Sequence, residues 1–243
     1  MAYTTIDDPS QYFQVATWSG NASNQAITND GNSDLQPDWL WIKARNEASD
    51  HALLDSTRGL TKRIHSNTTD QETNDSSATV SSFDSDGFTM TQYNVANDSD
   101  DTGVAWQWKA NGGTTSSNSD GSITSTVQAN TTAGFSIVTY TGAGGNQTIG
   151  HGLGVVPKWI LIKRRDDAGD WTGYHSVLGD EKFMRLNSGN AVGDQATYFN
   201  DTTPTSTVFT VGNAGDVNYS TGTHVAYCFA EIQGYSKFGS YKG

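Results

Sequence analysis

The chain has 243 residues, long enough for one large or two ordinary domains, and a formal net charge of −12 from 26 acidic and 14 basic residues. That balance repels nucleic acid and anionic membrane surfaces, so neither is expected as a partner. With 26 Gly, 4 Pro, a heavy load of Ser, Thr, Asn and Asp, and short apolar runs of Val, Ile, Phe, Tyr and Trp, the composition favours strands and tight turns over helices.

The opening MAYTTIDDPSQYF has no basic region followed by an apolar stretch, and no window reaches about 18 apolar residues, so no signal peptide or membrane span is read. YFQVATWSG, from Tyr12, reads as a strand. It is followed by the turn NDGNSD, which places Asp30, Asn32 and Asp34 in alternation. Alternate oxygens in a tight turn converge on a hard cation. Leu35, however, stands where the calcium loop of a helix-loop-helix hand needs Gly, and Trp41 where it needs Glu. Turn formation alone explains the three residues, and a different calcium loop is left open; no metal or cofactor is assigned.

PDWLWIKAR at 37–45 begins as a continuous apolar run and ends in basic residues, the pattern of a buried strand. STRGLTKRIHS, like GDEKFMRL later, holds at best a turn of helix and also reads as a loop entering a strand. FTMTQYN alternates apolar with hydroxyl or amide side chains, as a strand with one buried face does. The turns are explicit in DSDG, NDSDDTG, DAGD and NAGD. The stretch from Lys109 to Gly134 is polar and nearly free of large apolar groups, so residues 110–133 read as a polar connection.

PDWLWIKAR returns 120 residues later as PKWILIKRR, and the neighbouring segments keep nearly that spacing. Phe13 matches Phe135, Asn24 with Gln25 match Asn146 with Gln147, Phe88 matches Phe209, and Val104 matches Val225. The spacing predicts an all-β protein of two tandem antiparallel β-sandwich or jelly-roll-like modules from an internal duplication; one large sandwich made of two repeat halves is the alternative. The modules are 1–109 and 134–243. The final GYSKFGSYKG resembles the unit opening GFSIVTYTG, so it reads as a strand beginning a third repeat, paired within the chain or lent to a neighbouring one.

Residues suited to chemistry are scattered. His51, His65, His151, His175 and His224 form no HExxH or close pair. GHGLG, from Gly150, precedes the strand KWILIK rather than a helix, so it is no phosphate or dinucleotide loop. No GxSxG elbow occurs and no acid pair stands out among the Asp-rich turns. Catalytic residues are therefore assigned to none. Cys228, the single cysteine, lies in the apolar HVAYCFAEI and reads as a buried hydrophobe. Trp39 and Trp159 occupy equivalent places in the repeated strand and read as core, whereas Trp18, Trp108 and Trp171 lack a tryptophan counterpart and are the candidates for exposure. Lys43 and Arg45, with Lys163, Arg164 and Arg165, are expected to pair with nearby acidic turns.

AYTTIDDPSQYFQ, NDGNSDLQPDWLWIK, LLDSTRG, SSFDSDGF, TTAGFSIVTYTG, GHGLGVVPKWILIK and AYCFAEIQGYSKFGSY together resemble a repeat module of uncharacterised virion proteins from marine, cyanophage-like bacteriophages, many of them labelled tail fibres. The resemblance runs from Tyr3 to Tyr241. It implies a non-enzymatic virion structural protein, exposed on the particle as a head decoration or a tail or fibre component. Such a protein would assemble in the host cytoplasm, as a homo-oligomer, through contacts with other virion proteins. Alternatives are a receptor-binding module for host surface polysaccharide and, less favoured, a polysaccharide depolymerase.

Overall fold

A computed structural model describes residues 4–74, 79–92 and 96–241. They fall into two compact units, one of residues 8–113 and one that runs from Thr114 onward and takes in the N-terminal residues as far as Asp7. Strands dominate in both, every named strand pair is antiparallel, and helix is confined to single turns.

The first unit contains β1 (Phe13–Ser19), β2 (Gln25–Thr28), β3 (Trp39–Ala44), β4 (Ala52–Asp55), β5 (Lys62–Arg63), β6 (Thr73–Asn74), β7 (Val80–Asp84), β8 (Gly87–Met90) and β9 (Thr102–Trp108). A four-stranded sheet in the order β1-β9-β3-β4 packs against a three-stranded sheet in the order β2-β8-β7. Alternation decides the faces: Ala16, Leu40, Ile42, Ala44, Ala52, Leu54 and Ala105 of the larger sheet meet Ile27, Val80, Phe88 and Met90 of the smaller. The hairpin between β7 and β8 turns through Gly87 at φ +107, where an added Cβ would meet the Ile27 carbonyl oxygen at 2.0 Å.

The second unit contains β10 (Ser116–Asn118), β11 (Ser125–Asn130), β12 (Phe135–Thr141), β13 (Gln147–Gly150), β14 (Pro157–Arg164), β15 (Thr172–His175), β16 (Lys182–Arg185), β17 (Gly193–Asp194), α1 (Ala196–Phe199), β18 (Val208–Val211), α2 (Gly215–Asn218) and β19 (Thr223–Ala230). Its large sheet runs β10-β11-β12-β19-β14-β15-β16-β17, and the β13–β18 ribbon packs over it through Ile149, Phe209 and Val211. The order β12-β19-β14-β15 parallels β1-β9-β3-β4 of the first unit strand for strand.

Several expectations need correcting. Part of the polar connection is sheet: β10 and β11 extend the large sheet beyond β12, and Val127 and Ser125 turn inward. Short hydroxyl-rich segments lack a core signature, yet they satisfy the backbone of a neighbouring edge. The C-terminal segment is not a strand among its described residues. Ile232 N–H bonds Ser236 O at 3.2 Å in a turn, and Phe238 gains burial by packing 6.3 Å from Trp159 rather than by pairing. Of the two readings of STRGLTKRIHS and GDEKFMRL, the loop entering a strand holds, with β5 and β16, while helical turns fall at Pro9–Gln11, α1 and α2. Tyr93 and Asn94 of the expected FTMTQYN strand, Ala2 and Tyr3 at the start, and Lys242 and Gly243 at the end lie outside the described residues.

One buried constellation occurs in both units. Asn97, fully buried, donates from Nδ2 to Ser23 O and Thr91 O at 2.7 Å each, and its Oδ1 accepts from Gln25 Nε2 and from Asn21 N–H. Asn218, also fully buried, donates to Gly145 O at 2.7 Å and Gly212 O at 2.9 Å, and accepts from Ala143 N–H at 3.0 Å and Gly144 N–H at 3.3 Å. Beside each amide lies an aromatic donor: Trp18 Nε1–H to Ala96 O at 2.8 Å, and Tyr140 O–H to Val217 O at 2.7 Å. Each ring meets a phenylalanine edge-on, Phe88 at 5.7 Å and Phe209 at 6.3 Å. The amide thus ties the loop after the first strand to the loop after the last strand of the smaller sheet.

The first unit has two polar hubs of its own. Asp38, fully buried, accepts from Ala110 N–H at 2.7 Å, Gly112 N–H at 2.9 Å, Gly113 N–H at 2.8 Å and Ser56 Oγ at 2.6 Å, which fastens the end of that unit. Arg58, its side chain wholly buried, bridges Asp55 at 2.5 Å and Glu72 at 2.9 Å and so closes the excursion that carries β5 and β6.

Removing a buried amide with four partners strands several backbone groups. Asn218→Ala is expected to cost about 3 kcal/mol in urea denaturation, with a similar loss for Asn97→Ala. A loss below about 1 kcal/mol would show that the loops hold without the amide.

Candidate functional site

β14 and its neighbours build an aromatic cleft at one end of the second unit's large sheet. In register, Trp159 faces Phe229 of β19 and His175 of β15, so three side chains from adjacent strands share one face. Trp159 stacks on Phe229 with centroids 5.0 Å apart and planes 25° apart. Phe238, folded back from the C-terminal turn, lies 6.3 Å from each of Trp159 and Phe229 and meets His175 edge-on at 6.3 Å. Met184, Lys237 and Gly239 complete a cleft of about 330 Å³. Gly173 leaves room for Met184, whose Cγ would lie 2.9 Å from an added Cβ.

His175 Nδ1 accepts Val177 N–H at 3.3 Å, which leaves Nε2 to carry the proton in the neutral ring. Burial holds its pKa below the ordinary histidine value, so the ring is a neutral donor near pH 7. The cleft combines aromatic faces, one N–H donor and the exposed Lys237 ammonium. That set suits a flat or ring-shaped polar ligand, with stacking for area and few polar contacts for orientation.

The residues singled out in the sequence fare differently. Trp39 is fully buried, whereas Trp159 is half-exposed in the cleft. Of the three candidates for exposure, Trp171 is fully buried, Trp18 is pinned to Ala96 O over Gly103, and Trp108 lies 4.4 Å from Trp39. Trp18 and Trp108 are half-exposed, with these contacts holding both rings in place. Trp41 and Trp106 are half-exposed as well, on the face of β3 and β9 opposite the core, which Trp108 shares.

The histidines do not converge on a centre. His51 Nδ1 accepts from Trp41 Nε1–H at 2.7 Å, and the His65 ring faces His51 O at 2.8 Å. His151 is buried between Leu153 N–H and Thr205 O, and His224 stacks 5.0 Å from Tyr140. Among the described residues, no group of three or more His, Cys, Asp or Glu side chains is placed to hold a metal ion. Asp30, Asn32 and Asp34 are exposed. Their turn is held by the residues between and before them, with Gly31 N–H on Gln14 Oε1 at 3.0 Å and Ser33 N–H on Ser10 Oγ at 3.0 Å.

Arg164 pairs with Asp166 and Asp167 as expected and covers the Tyr219 ring at 4.1 Å. Lys43 caps Ala44 O and Glu47 O, while the buried Lys163 caps Gly169 O at 2.9 Å and its charge acts on Asp216 of the NAGD turn. Cys228 is fully buried, and burial pushes its thiol pKa up to about 12, so it is an inert core group. Sequence reasoning missed the Asn97 and Asn218 pair, although the two asparagines keep the spacing of the apolar repeat; aligning polar positions would have found them.

The fold and cleft define an all-β protein of sheet-on-sheet units with an aromatic-lined surface site. A family model described as a domain of unknown function (DUF7483) matches residues 8–243, across both units, and the chain belongs to that family. No curated protein and no solved structure matches it.

His224 gives the second unit a pH dependence. Burial lowers its pKa to about 4, so the fold prefers the neutral ring while the unfolded chain takes up a proton near the ordinary value. Its contribution is present in full above about pH 6.5 and is lost as pH falls toward 4, by up to about 3 kcal/mol. His224→Phe, which keeps a flat ring against Tyr140 and removes the titration, is expected to flatten that slope in denaturant melts run from pH 7 to 4.

Proposed function

We propose that the protein is a non-enzymatic structural protein of a bacteriophage particle, exposed on its surface as a head decoration or a tail or fibre component. It assembles through contacts with other virion proteins and with copies of itself. The observation that carries this reading is the run of long phage-like phrases, which supply the frame itself: LLDSTRG ends β4, GHGLGVVPKWILIK leads into β14, and AYCFAEIQGYSKFGSY runs from β19 into the cleft. Loops tied down by buried amides suit a scaffold whose task is to hold shape.

The two units descend, in this reading, from one duplicated module. The parallel strand order, the matched Asn97 and Asn218 constellations, and equivalent closing bonds such as Ser56 N–H to Asp38 O and Ser176 N–H to Lys158 O support it.

Quantitative mass spectrometry of purified particles tests the assignment. Hundreds of copies per particle are expected for a head decoration and a few dozen or fewer for a tail component; absence from particles removes the reading.

The aromatic cleft favours a second reading, recognition of a host surface polysaccharide, because Trp159 and Phe238 offer ring faces for stacking and His175 a donor. Titrating the protein with host polysaccharide fragments should then shift tryptophan emission, and Trp159→Ala should weaken binding at least about tenfold. An equal response from the variant would place any binding outside the cleft.

A further inference from the structure

β1 is an edge strand without the usual protection. It spans seven residues, FQVATWS, with no charge and no proline, and it pairs with β9 on one side only. The flanking bonds, Lys109 N–H to Tyr12 O at 3.0 Å and Gly20 N–H to Asp101 O at 2.8 Å, fix the alternation. Gln14, Ala16 and Trp18 therefore turn their peptide groups toward β9, and Phe13, Val15 and Thr17 turn theirs outward. Among the described residues those outward N–H and C=O groups have no hydrogen-bond partner, and Val15 is 43% exposed.

The second unit shows what fits such an edge. β12 is the counterpart of β1, and its outward peptide groups face β11, with Thr126 opposite Thr139, Gln128 opposite Ile137 and Asn130 opposite Phe135. β11 reads STVQAN, uncharged, with small and amide side chains. It comes from the segment that precedes β12 in the chain. In the described residues before β1 the chain instead forms a 3-10 turn at Pro9–Gln11.

We propose that the open β1 edge is a docking site for an extended strand of a neighbouring polypeptide, antiparallel to Phe13–Thr17 and of the uncharged hydroxyl and amide character of Ser125–Asn130. Main-chain bonds supply the affinity and small side chains allow close approach, as in other strand additions. An uncharged strand also avoids the repulsion that an acidic segment would meet on a chain of net charge −12. This deepens the assembly reading above, on which it rests, by naming the surface and the kind of partner.

The test uses the full chain and a fluorescently labelled peptide, ITSTVQANT, copied from residues 123–131. Saturable binding below about 1 mM is expected by fluorescence polarisation. N-methylation of the peptide at the positions of Thr126 and Gln128, whose N–H groups would face β1, should weaken it at least about tenfold, whereas methylation at Val127 or Ala129 should leave it unchanged. In the protein, Thr17→Pro removes an outward N–H without touching the β9 ladder and should abolish binding; Val15→Lys, at an exposed site, serves if the proline variant fails to fold. No saturation up to about 1 mM, equal effects of all four methylations, or binding that both protein variants retain would overturn the proposal. So would dimerisation of the chain through β1 that leaves the peptide unbound, since a second copy would then occupy the edge. The peptide result stands apart from the particle copy number, so failure of either is recognised separately.

Discussion

A side-chain amide with no exposed surface organises each unit. Asn97 and Asn218 sit where the loop after the first strand approaches the loop after the last strand of the smaller sheet, and each spends both donors and its acceptor oxygen on neighbouring groups. Loops as polar as those in this chain cannot be held by apolar burial, because they have little apolar surface to bury. A buried amide in a low-dielectric setting gives them fixed partners, and the cost of leaving those partners unpaired makes the arrangement all-or-none. The first strand, the small sheet and the last strand are positioned through this single group.

Around the amide, the two units fill one shell with different volumes. In the first, Trp18 lies against Gly103, where an added Cβ would come within 2.2 Å of the indole. In the second, the smaller Tyr140 stands in the corresponding place, and His224 takes the position of the glycine and stacks on it. Large ring with no side chain and small ring with imidazole are two solutions to one packing density. The second solution carries a buried titratable ring.

The units also differ at the edge of the larger sheet. β11 covers β12, while β1 is open on the outward side of Phe13, Val15 and Thr17. At the other end of the second unit's sheet, the C-terminal turn delivers Phe238 onto Trp159 and creates a cleft where a third strand-like opening had been expected. Both features arise from segments of weak local preference, whose structure follows the unpaired groups they find nearby.

Much of the frame was legible in the chain itself. Alternating apolar positions in YFQVATWSG and GFSIVTYTG, continuous runs in WLWIK and WILIK, glycine-rich turns and a steady spacing between matched phrases determine an all-β protein of antiparallel sheets, because periodicity fixes which side chains share a face. The buried cysteine was equally plain from its apolar surroundings. The sites were not legible. Trp171 is buried although it stands in a polar stretch just before β15, and Trp159 is half-exposed although it lies in an apolar strand, since exposure depends on what covers a side chain and not on the segment that bears it. The amide pins, the pairing of β11, the His175 and Phe238 walls of the cleft and the open edge of β1 join residues distant in the chain. Only the tertiary structure decided them, because a hydrogen bond or a stacking contact is set by position in space, while local sequence constrains only the backbone that carries the group.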